Sequence, residues 1–173
     1  MGPVGHTVIS SAVGAVTWGV TGSPLAGGIA LGVGVLIDVD HLYDFYQWWI
    51  KGRPNKFFVF FHGWEYSFIG ILVLLLAFYH PFLLAVTVAH LSHVTTDHFY
   101  NRVAPLGYFI LYRVWVRFDA ERLLPGINLG DSYKSLPRLF PFRRYWEPWY
   151  RRKVEPWLAS RAAGSRGGVD APD

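Results

Sequence analysis

Two histidines and an aspartate recur at helical spacing shortly before residue 100. His90, His93 and Asp97 are separated by three and four positions, so on an α-helix their side chains fall within about 60° of one another. Two imidazoles and a carboxylate on one face suit zinc, manganese or iron. The alternative is that these groups only form hydrogen bonds across helices. His98 points about 80° away from this face and is a weaker candidate.

A second group of acids and a histidine follows an apolar run. Asp38, Asp40 and His41 come directly after residues 25–37. Such groups in a membrane-associated helix are costly unless they are paired or bound to a cation, which favours a metal site. The alternative is a helix C-terminus at the membrane interface, where the helix dipole favours a charged histidine but disfavours two aspartates.

Three further residues extend the predicted centre. His62 and Glu65 lie three positions apart before the third apolar run, and His6 precedes the first. We predict that the two histidines bind metal and that Glu65 is the general base for the attacking water. Glu65 could instead bind metal or be a first-turn charge at the positive end of a helix dipole, and His6 could be an interfacial polar residue. His80 adjoins Pro81 and is predicted to have a turn role.

The donor types narrow the choice of ion. The chain has no cysteine, so thiolate ligands and disulfides are excluded. Imidazole and carboxylate ligands favour zinc, with manganese or iron as alternatives. The predicted metal ligands are His6, Asp38, Asp40, His41, His62, His90, His93 and Asp97.

Four apolar segments must position these groups, at residues 8–20, 25–37, 66–79 and 82–94. Ser23 followed by Pro24 predicts the start of the second helix. A 14-residue helix rises about 21 Å, less than the about 30 Å of a bilayer core, so we expect the polar ends to continue the helices. The prediction is an all-α, multi-pass membrane bundle of about four core helices. An interfacial amphipathic C-terminal region follows it.

Composition and charge support a membrane location. Apolar residues make up 52% of the chain and charged residues 16%, against about 25% charged in soluble domains. Residues 1–100 carry three cations and five anions, whereas residues 101–173 carry thirteen cations and seven anions. The positive-inside rule then places residues 44–61 and both termini on the cytoplasmic side of the inner membrane. His6, the group from Asp38 to His41, the pair His62 and Glu65, and the group from His90 to Asp97 then all lie on that side.

Three regions are predicted from these patterns. Residues 1–118 form a membrane helical domain with the metal site, residues 119–158 a basic aromatic interfacial region, and residues 159–173 a disordered tail. Cations interleaved with aromatic residues predict membrane lipids as partners and no nucleic acid. Trp48 and Trp49 are predicted to form an aromatic belt at the interface. The glycines of the second segment, Gly27, Gly28, Gly32 and Gly34, are predicted to allow close helix packing.

Four short motifs across residues 4–110 carry a family resemblance. They are Gly5-His6-Thr7, Asp38-Val39-Asp40-His41, His62-Gly63 and His93-Val94-Thr95-Thr96-Asp97. Their order resembles the predicted membrane-bound metal-dependent hydrolases of bacteria and archaea, which are similar to zinc-dependent phospholipase C and single-strand nucleases. The resemblance implies an all-α fold with clustered metals. It also implies that His6, Asp38, Asp40, His41, His62, His93 and Asp97 are ligands or support ligands.

The third motif departs from the family pattern. The family has His-Arg-Gly-x-Thr-His-Ser, whereas this chain has Phe61-His62-Gly63-Trp64-Glu65-Tyr66-Ser67. One histidine is absent, and Glu65 is the candidate replacement.

The predicted function is a membrane-embedded, metal-dependent hydrolase that acts on a phosphoester or lipid headgroup at the cytoplasmic face. The alternative is a metal or proton transporter, or a metal sensor, without hydrolytic activity. A conduction path needs polar groups across the membrane, and here the donors lie at one end. A third possibility is a scaffold whose polar residues only specify helix pairing.

Overall fold

A computed structural model describes residues 2–166 of the protein, with side chains to residue 161. Helices are joined by turns and loops over this range, and it holds no β-strand, so the all-α prediction is confirmed. The α-helices are α1 (Pro3–Thr21), α2 (Pro24–Leu36), α3 (His41–Phe45), α4 (Trp64–Leu76), α5 (Pro81–Tyr100), α6 (Ile110–Trp115), α7 (Ala120–Leu123), α8 (Arg143–Lys153) and α9 (Glu155–Arg166).

Local sequence signals set the boundary between α1 and α2. Gly22 ends α1 in the left-handed conformation, with φ of 66°, which glycine adopts without steric cost. The Ser23 side chain then accepts a hydrogen bond from the backbone N–H of Ala26, and Pro24 takes the first helical position. The predicted start of α2 is therefore confirmed.

The second apolar segment continues further than its pattern indicated. A 3₁₀ turn at Ile37–Asp40, α3 and a π-helical turn at Tyr46–Ile50 follow α2 without a break. The predicted loop at residues 44–61 therefore begins only after Ile50. Changes of helix type often mark functional sites, and here Asp38, Asp40 and Asp44 lie in the segment where the helix type changes.

This helical run, Pro24–Ile50, has 27 residues and is long and apolar enough to cross a membrane. A core helix of a soluble protein or a signal sequence meets the same criterion. Since no other helix among the described residues meets it, the structure does not support the multi-pass architecture.

The first 100 residues pack around small side chains. Ala26 and Ala30 of α2 meet Ala85 and Ala89 of α5 in what we call the bundle core, and α1 and α4 pack beside them. Such residues allow close approach of helix backbones. Gly27 and Gly34 have the predicted packing role, because a Cβ on either would lie under 3 Å from α1. A Cβ on Gly28 or Gly32 would meet nothing within 4 Å, so these two glycines do not have that role.

The basic aromatic region packs with Val116 and with residues between Trp48 and Val59 to form a second core, which we call the C-terminal core. Its buried residues are Trp48, Trp49, Phe57, Val59, Val116, Ala120, Leu123, Leu124, Leu129, Tyr133, Tyr150 and Leu158. Trp48 and Trp49 are 4% and 7% exposed, so the predicted interfacial belt is wrong for both. Residues 159–166 continue α9 where disorder was predicted. The rest of that predicted tail lies outside the described residues.

Candidate metal centre

Three parts of the fold bring four donor side chains together. Asp38 lies in the 3₁₀ turn after α2, His62 in the loop before α4, and His93 and Asp97 on α5. His62 Nε2 lies 3.1 Å from Asp38 Oδ1, 3.1 Å from His93 Nε2 and 3.4 Å from Asp97 Oδ2. His93 Nε2 lies 3.3 Å from Asp38 Oδ1 and 3.6 Å from Asp97 Oδ2. We call these residues the four-donor centre.

The spacing of these atoms fits a tetrahedral ion. Nitrogen and oxygen ligands at zinc bond lengths in a tetrahedron are about 3.3–3.6 Å apart. Five of the six donor separations run from 3.1 to 3.6 Å, so three lie within this range and two are about 0.2 Å shorter. A cluster of histidine and aspartate side chains in this protein could therefore hold a metal ion.

Both imidazoles are oriented from their far nitrogens. His62 Nδ1 lies 3.1 Å from Asp40 Oδ2, and His93 Nδ1 lies 2.8 Å from the Gly34 carbonyl oxygen. Because these oxygens only accept, each Nδ1 donates, and when a ring is neutral the lone pair of its Nε2 faces the other donors. Metal-bound histidines are commonly oriented in this way. Asp40 therefore supports a ligand in this geometry.

His6 and His41 border the centre on different sides. His6 Nε2 lies 2.9 Å from Asp97 Oδ1, and its ring stacks on His93 with centroids 4.0 Å apart. His41 Nδ1 lies 3.1 Å from Asp40 Oδ1 and 3.7 Å from Asp38 Oδ1. His6 thus fixes the far oxygen of Asp97, while His41 stands beside Asp38.

Two groups of residues each bring one ligand atom per residue to within 4.8 Å of one another, and Asp38 belongs to both groups. These are His6, Asp38, His93 and Asp97, and Asp38, His41 and His62.

Three predicted site residues lie outside both groups: Asp40, which supports His62, and His90 and Glu65. His90 Nε2 donates to the Phe61 carbonyl oxygen at 2.8 Å, so His90 Nδ1 accepts from Ser67 Oγ at 2.7 Å. His90 shares a helical face with His93 but lies one turn away, where it meets the start of α4. Glu65 Oε1 accepts from the backbone N–H of Leu111 at 3.1 Å.

The carboxylates hold a proton on the buried His62. Burial acts to lower the pKa of His62, but hydrogen bonds to Asp38, Asp40 and Asp97 raise it well above its ordinary value. A cation in the four-donor centre would replace this proton as the partner of the three carboxylates. Metal and proton therefore compete for the same nitrogen.

Sequence reasoning missed the two residues that fix the loop before His62. Asp44 accepts hydrogen bonds from the backbone N–H groups of Phe58 at 2.7 Å and Val59 at 2.9 Å. Arg113 donates to the carbonyl oxygens of Phe58, Val59 and His62. Val59 has a φ of 36°, and left-handed conformations of β-branched residues cost about 1–3 kcal/mol. The two side chains thus hold a strained turn that sets the position of His62.

The sequence contains only a weak indication that Asp44 and Arg113 hold this turn. Asp44 follows Asp40 by one helical turn, which places both on one face, but Arg113 resembled any interfacial cation. The structure buries Arg113 completely. Burial lowers the pKa of its guanidinium, and nearby acids, Glu65 first among them, act against this shift.

One side of the centre faces solvent. The side chains of His62, His93 and Asp97 are 2% exposed or less, whereas Asp38 is 32% and His41 is 27% exposed. A substrate would therefore approach past Asp38 and His41.

Comparison with known proteins adds no relative to this geometry. The resemblance to membrane-bound metal-dependent hydrolases stays a prediction that rests on four motifs. No family model, no curated protein and no solved structure matches this chain.

Proposed function

We propose that the protein is a metal-dependent hydrolase that binds one zinc ion in the four-donor centre. The observation that carries the proposal is the set of five donor separations between 3.1 and 3.6 Å. A bound zinc ion supplies a Lewis acid for a phosphoryl or carbonyl oxygen and lowers the pKa of water to about 7.

The unequal burial of the ligands favours a catalytic centre over a structural one. Catalytic zinc sites have three protein ligands and one open position, whereas structural sites are closed by four. Here His62, His93 and Asp97 form a buried two-histidine, one-carboxylate set. Asp38 lies at the solvent-facing corner, where a water or substrate oxygen would take the fourth position while Asp38 turns to His41, 3.7 Å away. Substrate access is thus confined to the Asp38 corner.

His41 is the best-placed general base. Its Nδ1 donates to Asp40 Oδ1, so the lone pair of its Nε2 is available to accept a proton. A carboxylate that orients an imidazole in this way also serves hydrolytic triads. His41 is partly exposed and its ring centroid lies 4.9 Å from that of His62. His41 therefore takes the role that the sequence assigned to Glu65.

The substrate that fits this placement is a lipid phosphoester at the cytoplasmic face of the inner membrane. Large apolar side chains are exposed on the outer surfaces of two helices, among them Val8, Val16 and Val20 on α1 and Leu72, Leu75 and Leu76 on α4. Lipid contact would cover them, and the multi-pass arrangement with both termini in the cytoplasm remains part of this proposal. The centre would then lie at headgroup depth.

Hydrolysis by detergent-purified protein tests the proposal. Zinc-loaded wild-type protein should release the headgroup of a phospholipid, and Asp97→Ala should lose both zinc and activity. His41→Gln should keep zinc but lose about 10²–10⁴-fold in rate, because general-base catalysis contributes that much. His80→Ala is the matched control, since His80 caps the opposite end of α5. A wild-type rate equal to that of Asp97→Ala on phosphomonoesters and phosphodiesters would contradict the proposal.

Transport without hydrolysis is the competing function. The donors lie at one end of the bundle, and at the other end of α5 His80 is engaged with the backbone N–H of Phe82. A transport path needs polar groups along its length. Zinc uptake into liposomes should therefore be no faster with wild-type protein than with Asp97→Ala.

A further inference from the structure

An open apolar cavity of about 720 Å³ lies between α2, α4 and α5. Its volume is within the range of sites that bind small ligands. None of the residues along it is Asp, Glu, Lys or Arg in the described part of the chain. The walls are formed by Val33, Leu36, Ile37, Val39, Phe61, Tyr66, Ile69, Gly70, Val73, Leu83, Val86, Thr87 and His90. We call this cavity the apolar groove.

Residues next to the four-donor centre in the chain line one end of the groove. Ile37 and Val39 flank Asp38 in the chain, and Phe61 immediately precedes His62. From this end the groove follows α4 from Tyr66 to Val73, about 10 Å at 1.5 Å per residue.

Apart from the Tyr66 hydroxyl, the polar side chains of the groove lie on α5. His90 lies one helical turn before His93, and Thr87 lies one turn further from the centre. A Cβ on Gly70 of α4 would lie 2.4 Å from Thr87 Oγ1, so the two helices touch there. A ligand in the groove would therefore have one end at the centre and extend along α4 and α5.

The lining selects a hydrocarbon chain as the occupant. The rim residues Leu36 and Ile69 are 67% and 59% exposed, so the groove opens onto an apolar surface. A peptide or sugar would lose hydration of its polar groups against walls that offer few hydrogen-bond partners. A hydrocarbon chain has no polar groups and so loses no such hydration. We propose that the apolar groove binds one acyl chain of a membrane lipid whose phosphoester lies at the four-donor centre. This inference rests on the proposed function and specifies its substrate.

A chain-length series tests the proposal. Straight-chain alkyl phosphates from butyl to dodecyl are titrated into zinc-loaded protein, and binding is measured by calorimetry. The affinity should rise about fourfold per methylene and level off once the groove is filled. Because the readout is binding, it does not depend on hydrolysis.

Two tryptophan variants on α4 locate the effect. Ile69→Trp partly fills the groove, whereas Leu75→Trp adds the same side chain at an exposed position outside it. The ratio of dodecyl to butyl phosphate affinity should fall about 15-fold in Ile69→Trp, equivalent to about two methylenes. The ratio should be unchanged in Leu75→Trp. Equal ratios in both variants would overturn the proposal.

An Asp97→Ala arm separates this inference from the proposed function. Dodecyl phosphate should still bind this variant, more weakly than it binds wild-type protein, while butyl phosphate binding is lost. If wild-type protein binds butyl phosphate but shows no chain-length preference, the groove assignment fails alone. If the preference is present but Asp97→Ala binds butyl phosphate as wild-type protein does, the metal-centre assignment fails alone.

Discussion

The bundle core and the C-terminal core are built in opposite ways. The bundle core has alanines inside, while large residues such as Val8 and Leu75 are 65% and 76% exposed. The C-terminal core buries Trp49 and Tyr150 and carries exposed ion pairs such as that between Arg151 and Glu147. Soluble proteins bury large residues, whereas membrane helices meet through small ones. The C-terminal part of the chain also exposes Trp115 and Trp149, at 76% and 56%, so the two cores differ in the residues they bury and not in the residues their surfaces expose.

The metal centre lies where these two constructions meet. α1, α2 and α5 approach closely enough for His6, His93 and Asp97 to touch. Asp44 and Arg113 hold the His62 loop from the side of the C-terminal core. Each region therefore supplies part of the geometry, and variants can separate their contributions.

Loss of Arg113 should have the largest effect. Arg113→Met removes three hydrogen bonds to the carbonyl groups of Phe58, Val59 and His62 and releases the strained turn at Val59, so we expect about 3–5 kcal/mol of destabilisation. Zinc affinity should fall with it, because the turn sets the position of His62. Denaturant unfolding and competitive zinc titration measure the two effects. The exposed Arg122→Met is the control, and equal stability of both variants would break the assignment.

Trp49→Ala should destabilise the C-terminal core without emptying the centre. Truncation of a buried tryptophan costs about 3–5 kcal/mol, and the Trp49 indole N–H also loses its bond to Ser132. Because Trp49 touches no donor, zinc affinity should stay within about twofold, a change of about 0.4 kcal/mol. A loss of zinc affinity as large as in Arg113→Met would show that the two cores do not act separately.

Gly34→Ala should have an intermediate effect. Its Cβ would lie 2.3 Å from Ser10 Oγ, so α1 and α2 must separate at about 1–3 kcal/mol. The shift would also move the carbonyl group that orients His93 and weaken zinc binding. Ser10→Gly in the same chain should restore binding, and Gly32→Ala, where nothing lies within 4 Å, is the control. Zinc titration that finds Gly34→Ala equal to Gly32→Ala would contradict this packing role.

The smallest expected effect is on pH dependence: the stability of the metal-free protein and its affinity for zinc should change in opposite directions as pH rises. The pKa of His62 is raised in the folded protein, so its stabilising contribution is complete below the unfolded pKa of about 6.5. That contribution is lost as pH rises through the folded pKa. Metal-free protein should therefore lose stability on raising pH, whereas zinc binding should strengthen because it needs the neutral ring. Thermal unfolding with chelator or zinc measures both, and His62→Gln should flatten the metal-free trend.

Local pattern was enough to predict the donors that lie on regular helices. His93 and Asp97 share a face at four-residue spacing, and Asp38 follows an apolar helix, so their types and positions indicated a metal site. The same spacing could not exclude His90. His90 lies outside the centre because the loop before α4 crosses α5 at His93, so that His90 meets the Phe61 carbonyl oxygen instead.

Tertiary contacts decided what the sequence could not. Arg113 and Trp48 are of the basic and aromatic types expected at a membrane interface, yet both are buried. Trp48 donates to the Lys56 carbonyl oxygen across a turn that has no periodic signal. Their burial depends on residues more than 50 positions apart in the chain meeting, as Phe58 and Arg113 do. Aromatic and basic residues alone could not distinguish a core from a membrane surface.

Metal content gives the most direct test of the four-donor centre. Wild-type protein, His93→Ala with Asp97→Ala, and His80→Ala would be purified in detergent with zinc and analysed by mass spectrometry for bound metals. We predict one zinc ion per chain in wild-type protein and His80→Ala, and none in the double variant. Equal metal content in wild-type protein and the double variant would contradict the account.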